Sequence, residues 1–357
     1  MWLAALPSDV AAVPVPVPAS ERAATLEALR PASGERPIIA VIGINDATET
    51  TDYLVPTGIL RRAAVADVVM VATGPGPVQL YPALTVEPDE TIADFDAAHR
   101  EGADYVIVPA MSRDDDPAVM AWLQQQAAKG AIVIGVCAGA KVVGAAGLLD
   151  RKRATTHWYY LKDLLRRSPT IEYVADHRFV VDGNVATTTG ITASIPMMLT
   201  LVEAIAGPDK AEAVARELGL EDWGAEHAST AFKVTRQFAS TVLSNTLAFW
   251  HRDEVGILLE PGVDEVTLAL VADAWSRTYR SKAFSLAGTA AVETANGIRI
   301  LPDRKADEWS DDVVRPSFAG TPPAVALDQV LQAIAERYGV RTANVVAMQL
   351  EYPRLAN

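Results

Sequence analysis

Short apolar runs alternate with amphipathic segments along most of the chain after Arg36. Apolar runs rich in β-branched residues predict buried strands, and apolar positions spaced every three to four residues predict helices. The predicted strands are 38–43, 67–72, 105–109, 131–136, 178–181 and 185–188. The predicted helices are 51–64, 92–101, 118–129, 138–147, 157–167 and 193–206. This alternation predicts a doubly wound α/β fold, in which helices cover both faces of a parallel sheet.

The pattern divides the chain of 357 residues into three parts. Residues 1–35 contain the run VPVPVP, whose prolines break any helix, and they are predicted to form an extended arm. Residues 36–207 hold the alternating elements. Residues 208–357 restart them, since EVGILLEPGVDEVTLALV repeats the strand, acidic loop and helix of PIIAVIGINDATETTDYL. A single large α/β unit is the alternative.

The third part is therefore predicted to be a partial, degenerate copy of the second. It has no cysteine, and the alignment places Leu268 where the first copy has Asp52. The copy cannot repeat chemistry that depends on those two side chains. Its expected roles are to pack against the first copy, to cover the site or to form a dimer surface. We expect either a homodimer or an intrachain pseudo-dimer.

Charge and composition disfavour several classes of function and ligand. The chain has 31 basic and 45 acidic residues, a net charge of −14 that disfavours direct nucleic-acid binding. The scattered histidines and the single cysteine lack metal-ligand spacing, and no phosphate-binding glycine loop occurs, so neither a metal nor a cofactor is expected. Lys141 and several glycines interrupt the longest apolar stretch, 131–149, so we expect no membrane segment and a cytoplasmic location. Removal of an upstream segment would instead allow a membrane-anchored or exported protein.

Candidate chemistry centres on that one cysteine. Cys137 follows a predicted strand, precedes a predicted helix and has small neighbours in the sequence GVCAGA. Small residues suit the strained turn of a nucleophile elbow, and the positive end of the helix is expected to lower the thiol pKa. The alternative is that Cys137 is a small buried residue without chemistry.

Four motifs in this order resemble the DJ-1/PfpI family of the class I glutamine amidotransferase-like superfamily. They are DYLVP from Asp52, GVCAGA around Cys137, ATTHW ending at Trp158, and TTTGITASIPMMLTLVEAIAG ending at Gly207. The segment GLLDRKRATTHW is most similar to the amidase-like domain of AraC-type regulators. Those proteins carry a helix-turn-helix pair where this chain has the degenerate copy.

The resemblance implies roles for several of these residues. Asp52 is the carboxyl partner of Cys137, and His157 lies near the thiol. A carboxyl beside a thiolate should have a raised pKa, because two adjacent anions repel. Glu49 could play the same part as Asp52. Alternatively, Asp52 is an ordinary acidic residue that caps a helix or lies in its first turn. His157 would then have only the structural role of hydrogen bonding within a buried turn.

Substrate contacts follow from the same motifs. The backbone amides of Ala138 and Ala110 are the expected oxyanion donors, and Trp158 with its two following tyrosines could line a pocket or merely pack a helix. PfpI-type peptidases have histidine directly after the cysteine, whereas this chain has Ala138, so proteolysis is disfavoured. We expect a cysteine-dependent hydratase or hydrolase for a small electrophile, similar to isonitrile hydratase or a glyoxalase. The alternative is a non-catalytic redox-sensing or metabolite-sensing regulatory module.

Overall fold

The computed structural model describes residues 6–8, 12–32, 36–308, 316 and 318–355. Its main sheet has seven strands in the order β11-β12-β8-β7-β1-β3-β6, all parallel except for the antiparallel pair β11 and β12. These strands are β1 (Ile38–Gly43), β3 (Asp67–Ala72), β6 (Glu90–Thr91), β7 (Tyr105–Val108), β8 (Ile132–Gly135), β11 (Phe179–Asp182) and β12 (Val185–Thr188). All six predicted strands are present, some with ends shifted by one residue.

Helices cover both faces of this sheet. They are α2 (Thr50–Ala63), α3 (Ile92–Ala98), α4 (Pro117–Ala128), α5 (Gly139–Ala145), α6 (Leu161–Arg167), α7 (Ser194–Ala206) and α8 (Pro208–Leu218). Successive residues of β1 enter opposite cores, because Ile39 and Val41 join one apolar cluster and Ala40 and Ile42 join the other. The doubly wound α/β fold is therefore confirmed.

The N-terminal arm is not extended throughout. Residues 12–18 have no regular structure, but α1 (Ala19–Ala28) follows directly after Pro18. A proline just before a helix restricts the backbone without costing a helical hydrogen bond. The prolines of this segment all precede α1, so they do not break it. The buried Leu29 then ties the arm to the sheet, since its carbonyl accepts a hydrogen bond from the Tyr105 hydroxyl at 2.6 Å.

The later part of the chain repeats the start of the sheet. Strands β13 (Asp253–Leu258) and β14 (Ser281–Ala287) pair in parallel around helix α10 (Glu265–Ser276), as β1 and β3 do around α2. The remaining helices are α9 (Arg236–Leu247), α11 (Pro323–Tyr338) and α12 (Val340–Leu350). Short strands complete the fold: β2 (Thr48–Glu49), β4 (Val78–Tyr81), β5 (Thr85–Glu87), β9 (Arg153–Ala154), β10 (Glu172–Tyr173), β15 (Val292–Glu293), β16 (Arg299–Leu301) and β17 (Arg304–Lys305).

Helix caps correct the alignment of the two copies by one residue. The Glu49 side chain caps α2 by accepting a hydrogen bond from the Asp52 amide, and the Asp264 side chain caps α10 by accepting one from the Thr267 amide. Thr267 therefore stands at the position of Asp52. Leu268, predicted there from the sequence, is fully buried in the apolar core.

Equivalent elements of the two copies contact each other. Helix α2 packs against α10, and β5 pairs antiparallel with β16 so that Val86 faces Ile300. Two ion pairs also correspond, because Arg277 binds the cap residue Glu49 and Arg62 binds the cap residue Asp264. One apolar cluster runs through both copies, so the parts joined near Gly207 share a core.

Candidate active site

Cys137 occupies a strained turn between β8 and α5. Its φ is +57°, a left-handed conformation that side chains other than glycine rarely adopt. Close packing explains the small neighbours, since a Cβ added at Gly139 would lie 1.9 Å from the carbonyl oxygen of Val108. The backbone of Cys137 is held on both sides, by a hydrogen bond from its amide to Thr188 Oγ1 at 3.0 Å and one to its carbonyl from Thr156 Oγ1 at 2.9 Å.

Asp52 lies in the first turn of α2 and is fully buried. Its Oδ2 accepts a hydrogen bond from the Ala110 amide at 3.0 Å, and its Oδ1 has no hydrogen-bond partner among the described residues. Burial raises the pKa of Asp52 to about 7, against the lowering effects of the Ala110 amide and the Arg277 guanidinium. This carboxyl can therefore both bind and release a proton at neutral pH.

Glu49 connects Asp52 to the second copy. Its Oε2 accepts hydrogen bonds from the Asp52 amide at 2.6 Å and the Thr51 hydroxyl at 2.8 Å, while Arg277 Nη2 lies 2.5 Å from Oε1. Arg277 Nε also binds Asp273 Oδ2 at 2.6 Å. Burial and the neighbouring carboxyls of Asp52 and Asp273 raise the pKa of Glu49 well above its usual range. Two buried carboxyls, those of Glu49 and Asp273, thus bind one guanidinium, whose charge also lowers the pKa of Asp52.

The Cys137 thiol is less ionisable than the helix position predicts. Burial raises its pKa well above the ordinary cysteine value, the nearby Asp52, Glu49 and Glu351 carboxyls raise it further, and the Ala138 amide lowers it. The side chain is also buried, with only 5% of the residue exposed. The expectation of a lowered pKa was therefore wrong, because desolvation and neighbouring carboxyls outweigh one short helix.

The loop containing His157 and Trp158 is held by the C-terminal segment. His157 Nε2 lies 2.9 Å from the Gln349 carbonyl, and His157 Nδ1 accepts a hydrogen bond from the Tyr159 amide at 3.2 Å. Trp158 Nε1 donates to the Met348 carbonyl at 2.8 Å. Burial lowers the pKa of His157, so the ring is neutral with both nitrogens engaged.

The two expected oxyanion donors differ in availability. The Ala138 amide lowers the pKa of the Cys137 thiol. The Ala110 amide already donates to Asp52, so the expectation that it is a free oxyanion donor was wrong. That amide instead stabilises the ionised form of the neighbouring carboxyl.

A cavity of about 650 Å³ lies beside Cys137. Of the residues singled out from the sequence, its wall includes Glu49, Ala110, Cys137, Ala138, His157 and Trp158. Sequence reasoning missed other lining residues, among them Tyr81, Phe238, Arg277, Tyr279 and Gln349. The predicted repeat offered a signal for one of them, because Arg277 follows α10 and binds the residue that caps α2.

In the described ranges, no three His, Cys, Asp or Glu side chains are grouped as they would be to hold a metal ion. No helix in that part of the chain combines the length and apolar character needed to cross a membrane.

Fold and site define an α/β protein with a cysteine at a strained turn and buried carboxyls that raise the pKa of its thiol. The model of the DJ-1/PfpI family matches residues 39–204. The Parkinson disease protein 7 homolog of Danio rerio is 30% identical over 189 residues, which cover 51% of this chain and 97% of that protein. The chain belongs to the DJ-1/PfpI family.

Two further relatives carry different functional descriptions. Isonitrile hydratase of Pseudomonas putida is 45% identical over 105 residues, 29% of this chain and 44% of that enzyme. The match therefore spans less than half of the hydratase. The HTH-type transcriptional regulator GlxA of Rhizobium meliloti (strain 1021) is 27% identical over 263 residues, 71% of this chain and 77% of that regulator. The expected resemblance to both enzymes and regulators is confirmed.

Proposed function

We propose that this protein is a cysteine-dependent hydratase or hydrolase for a small electrophile, with isonitriles and α-dicarbonyl compounds as the candidate substrates. The observation that carries the proposal is Cys137 on a strained elbow beside a cavity, together with a buried Asp52 that has a pKa of about 7 and raises the pKa of the thiol. Similarity to isonitrile hydratase over part of the chain supports the choice of reaction.

The raised thiol pKa indicates how the proton moves. Cys137 is a neutral thiol at rest, and Asp52 is partly ionised at neutral pH, so it can take the proton as the sulfur attacks carbon. For an isonitrile, a sulfur–carbon bond forms and the proton passes through Asp52 to the substrate carbon, giving a thioimidate. Water then adds to that carbon, the carbon–sulfur bond breaks, and the N-substituted formamide leaves as the thiol recovers its proton.

Arg277 and the Ala138 amide have supporting roles in this proposal. Arg277 carries a charge that partly offsets the buried carboxyls of Glu49 and Asp273, so Asp52 is not forced to remain protonated. The Ala138 amide donates toward the sulfur and stabilises negative charge there. His157 is assigned to hold the loop and orient the substrate, because both of its ring nitrogens are engaged. The second copy thus serves as an intrachain partner that completes the site.

The test is turnover of isonitriles to formamides and of methylglyoxal to lactate, measured by chromatography with the full chain. We expect one of these conversions, and we expect it to fall to the buffer rate in Cys137→Ser. Asp52→Asn should also lose most turnover while retaining the thiol. Absence of both conversions, or turnover unchanged in Cys137→Ser, would overturn the proposal.

A sensing role is the second candidate, favoured by the extent of the match to the regulator GlxA, 71% of this chain compared with 29% for the hydratase. In that case a metabolite would bind the cavity without being converted. The distinguishing result is a rise in melting temperature on adding a compound that the protein does not consume. Such stabilisation without turnover would favour the sensor.

A further inference from the structure

Aromatic side chains form much of the cavity wall. They are Tyr81, Trp158, Tyr159, Tyr160, Phe238 and Tyr279. Several contact one another edge to face, with ring centroids 5.7 Å apart for Trp158 and Phe238 and 5.3 Å apart for Tyr159 and Tyr160. Aromatic rings prefer this arrangement and also offer it to a planar ligand.

Both halves of the chain build this aromatic wall. Trp158 lies in the loop after β9 of the first copy, whereas Phe238 projects from α9 and Tyr279 follows α10. The tyrosines remain accessible, with 61% of Tyr81, 59% of Tyr159, 38% of Tyr160 and 37% of Tyr279 exposed. An exposed cluster of large aromatics around a cavity is typical of a binding surface.

The hydroxyl groups of these tyrosines are not used in hydrogen bonds within the part of the chain that the structure describes. Among the described residues, no protein group forms a hydrogen bond with the hydroxyl of Tyr81, Tyr159, Tyr160 or Tyr279. They are therefore available to a polar atom of a ligand.

Every charged side chain on the wall already has an ionic partner. Glu49 pairs with Arg277, and Asp114 pairs with Lys141 and with Arg167. Lys141 also binds Asp163, and its ammonium lies 5.1 Å from the ring centre of Tyr160. An anionic substrate would have to compete with these carboxylates for Lys141 and Arg277. A cationic substrate would have to compete with those two side chains for the carboxylates.

We propose that the cavity selects an uncharged electrophile with a planar aromatic body, which lies against Trp158 and Phe238 while its reactive carbon faces Cys137. The inference deepens the proposed function and shares with it only the assignment of Cys137 as the reactive group. Phe238, supplied by the part of the chain after the first copy, is the specificity-determining residue.

The test compares the rates at which three iodoacetyl reagents alkylate Cys137. The reagents are iodoacetamide, which is small and neutral, iodoacetate, which is anionic, and N-benzyliodoacetamide, which is neutral and aromatic. Cys137 is the single cysteine, so the mass of the intact protein reports its modification alone. Each rate is divided by the rate of the same reagent with N-acetylcysteine at the same alkaline pH, which removes intrinsic reactivity.

We expect the normalised rate of N-benzyliodoacetamide to exceed that of iodoacetamide by about tenfold, as a few aromatic contacts allow. Iodoacetate should be the slowest reagent. In Phe238→Ala and Phe238→Leu the benzyl preference should fall at least about threefold. The matched control is Phe249→Ala, because Phe249 is 64% exposed and is not among the residues lining the cavity.

Equal normalised rates for the two neutral reagents, or a preference for iodoacetate, would overturn the inference. So would an unchanged preference in both Phe238 variants, or an equal loss in Phe249→Ala. The alkylation assay requires no turnover. If the benzyl preference is found but neither isonitriles nor methylglyoxal is converted, the proposed function fails and the inference about the cavity stands.

Discussion

Arg277 Nη2 lies 2.5 Å from Glu49 Oε1, and this ion pair joins the second copy to the acidic centre of the first. The equivalent pair, Arg62 with Asp264, runs in the opposite direction between the same two helices. Only the first of these pairs adjoins the cysteine cavity, since Glu49 and Arg277 line it. The cysteine-free copy therefore contributes directly to the electrostatics of the candidate site.

Replacing Arg277 tests that contribution. Arg277→Met should destabilise the fold by about 3–5 kcal/mol, because it leaves buried carboxyls without their cation. It should also move the alkylation midpoint of Cys137 to higher pH, since a nearby positive charge is lost. Urea unfolding and a pH series of alkylation rates measure the two effects. Arg62→Met is the control, with a smaller destabilisation, because Asp264 is more exposed than Glu49 and Asp273, and with an unchanged midpoint. An equal shift of the midpoint in both variants would contradict the assignment.

Gly139 tests the packing of the elbow. A methyl group there would overlap the Val108 carbonyl, so Gly139→Ala should cost at least about 3 kcal/mol of unfolding free energy or prevent folding. Gly288→Ala is the control, because an added Cβ at Gly288 meets no atom within 4 Å. A Gly139→Ala variant as stable as Gly288→Ala would show that the elbow is looser than described.

Glu351 holds two segments beside the cavity. Its carboxyl accepts hydrogen bonds from the Trp158 and Gly190 amides, both at 2.7 Å. Glu351→Ala should cost about 1–3 kcal/mol through those unpaired amides and should loosen the Trp158 loop, with increased quenching of tryptophan fluorescence by acrylamide. Glu351→Gln, which keeps acceptor oxygen, should recover part of the loss. Unchanged stability in the alanine variant would refute this role.

His157 is expected to hold its loop and orient the substrate, and not to exchange a proton during the reaction. With both ring nitrogens engaged and its pKa lowered by burial, it should leave no inflection near the ordinary histidine pKa in the pH–rate profile. His157→Gln should reduce kcat less than tenfold, whereas Cys137→Ser removes turnover. A histidine-like inflection that disappears in His157→Gln would make this residue an acid–base catalyst.

Much of the first copy could be predicted from the sequence because strand and helix periodicities are local. All six strands and six helices predicted before Gly207 are present, and Cys137 lies at the predicted turn. The strand, acidic loop and helix predicted after Asp253 are also present, although Leu268 was placed where the helix caps put Thr267. The prediction of an extended arm was wrong for residues 19–28, which form α1. The prolines on which it rested all precede that helix and do not interrupt it.

The electrostatics of the site could not be predicted in the same way. The pKa of Cys137 depends on burial and on Glu49, Asp52 and Glu351. Glu49 and Asp52 lie at the start of α2, whereas Glu351 lies about 300 residues further along the chain. The same holds for Ala110, whose amide donates to Asp52 only because the loop after β7 meets the first turn of α2. Arg277 and Phe238 reach the cavity through long-range packing. A local sequence pattern cannot predict such packing.

The most direct measurement of the central claim is the pH dependence of Cys137 alkylation in the wild type, Asp52→Asn and the control Asp114→Asn. Above pH 7 most of Asp52 is ionised, so its charge opposes formation of the thiolate. We predict that the wild-type rate still rises above the pH at which free cysteine levels off. Asp52→Asn should lower the midpoint by about one unit or more, and Asp114→Asn should not. Identical midpoints in the wild type and Asp52→Asn, or a wild-type midpoint below that of free cysteine, would contradict the account.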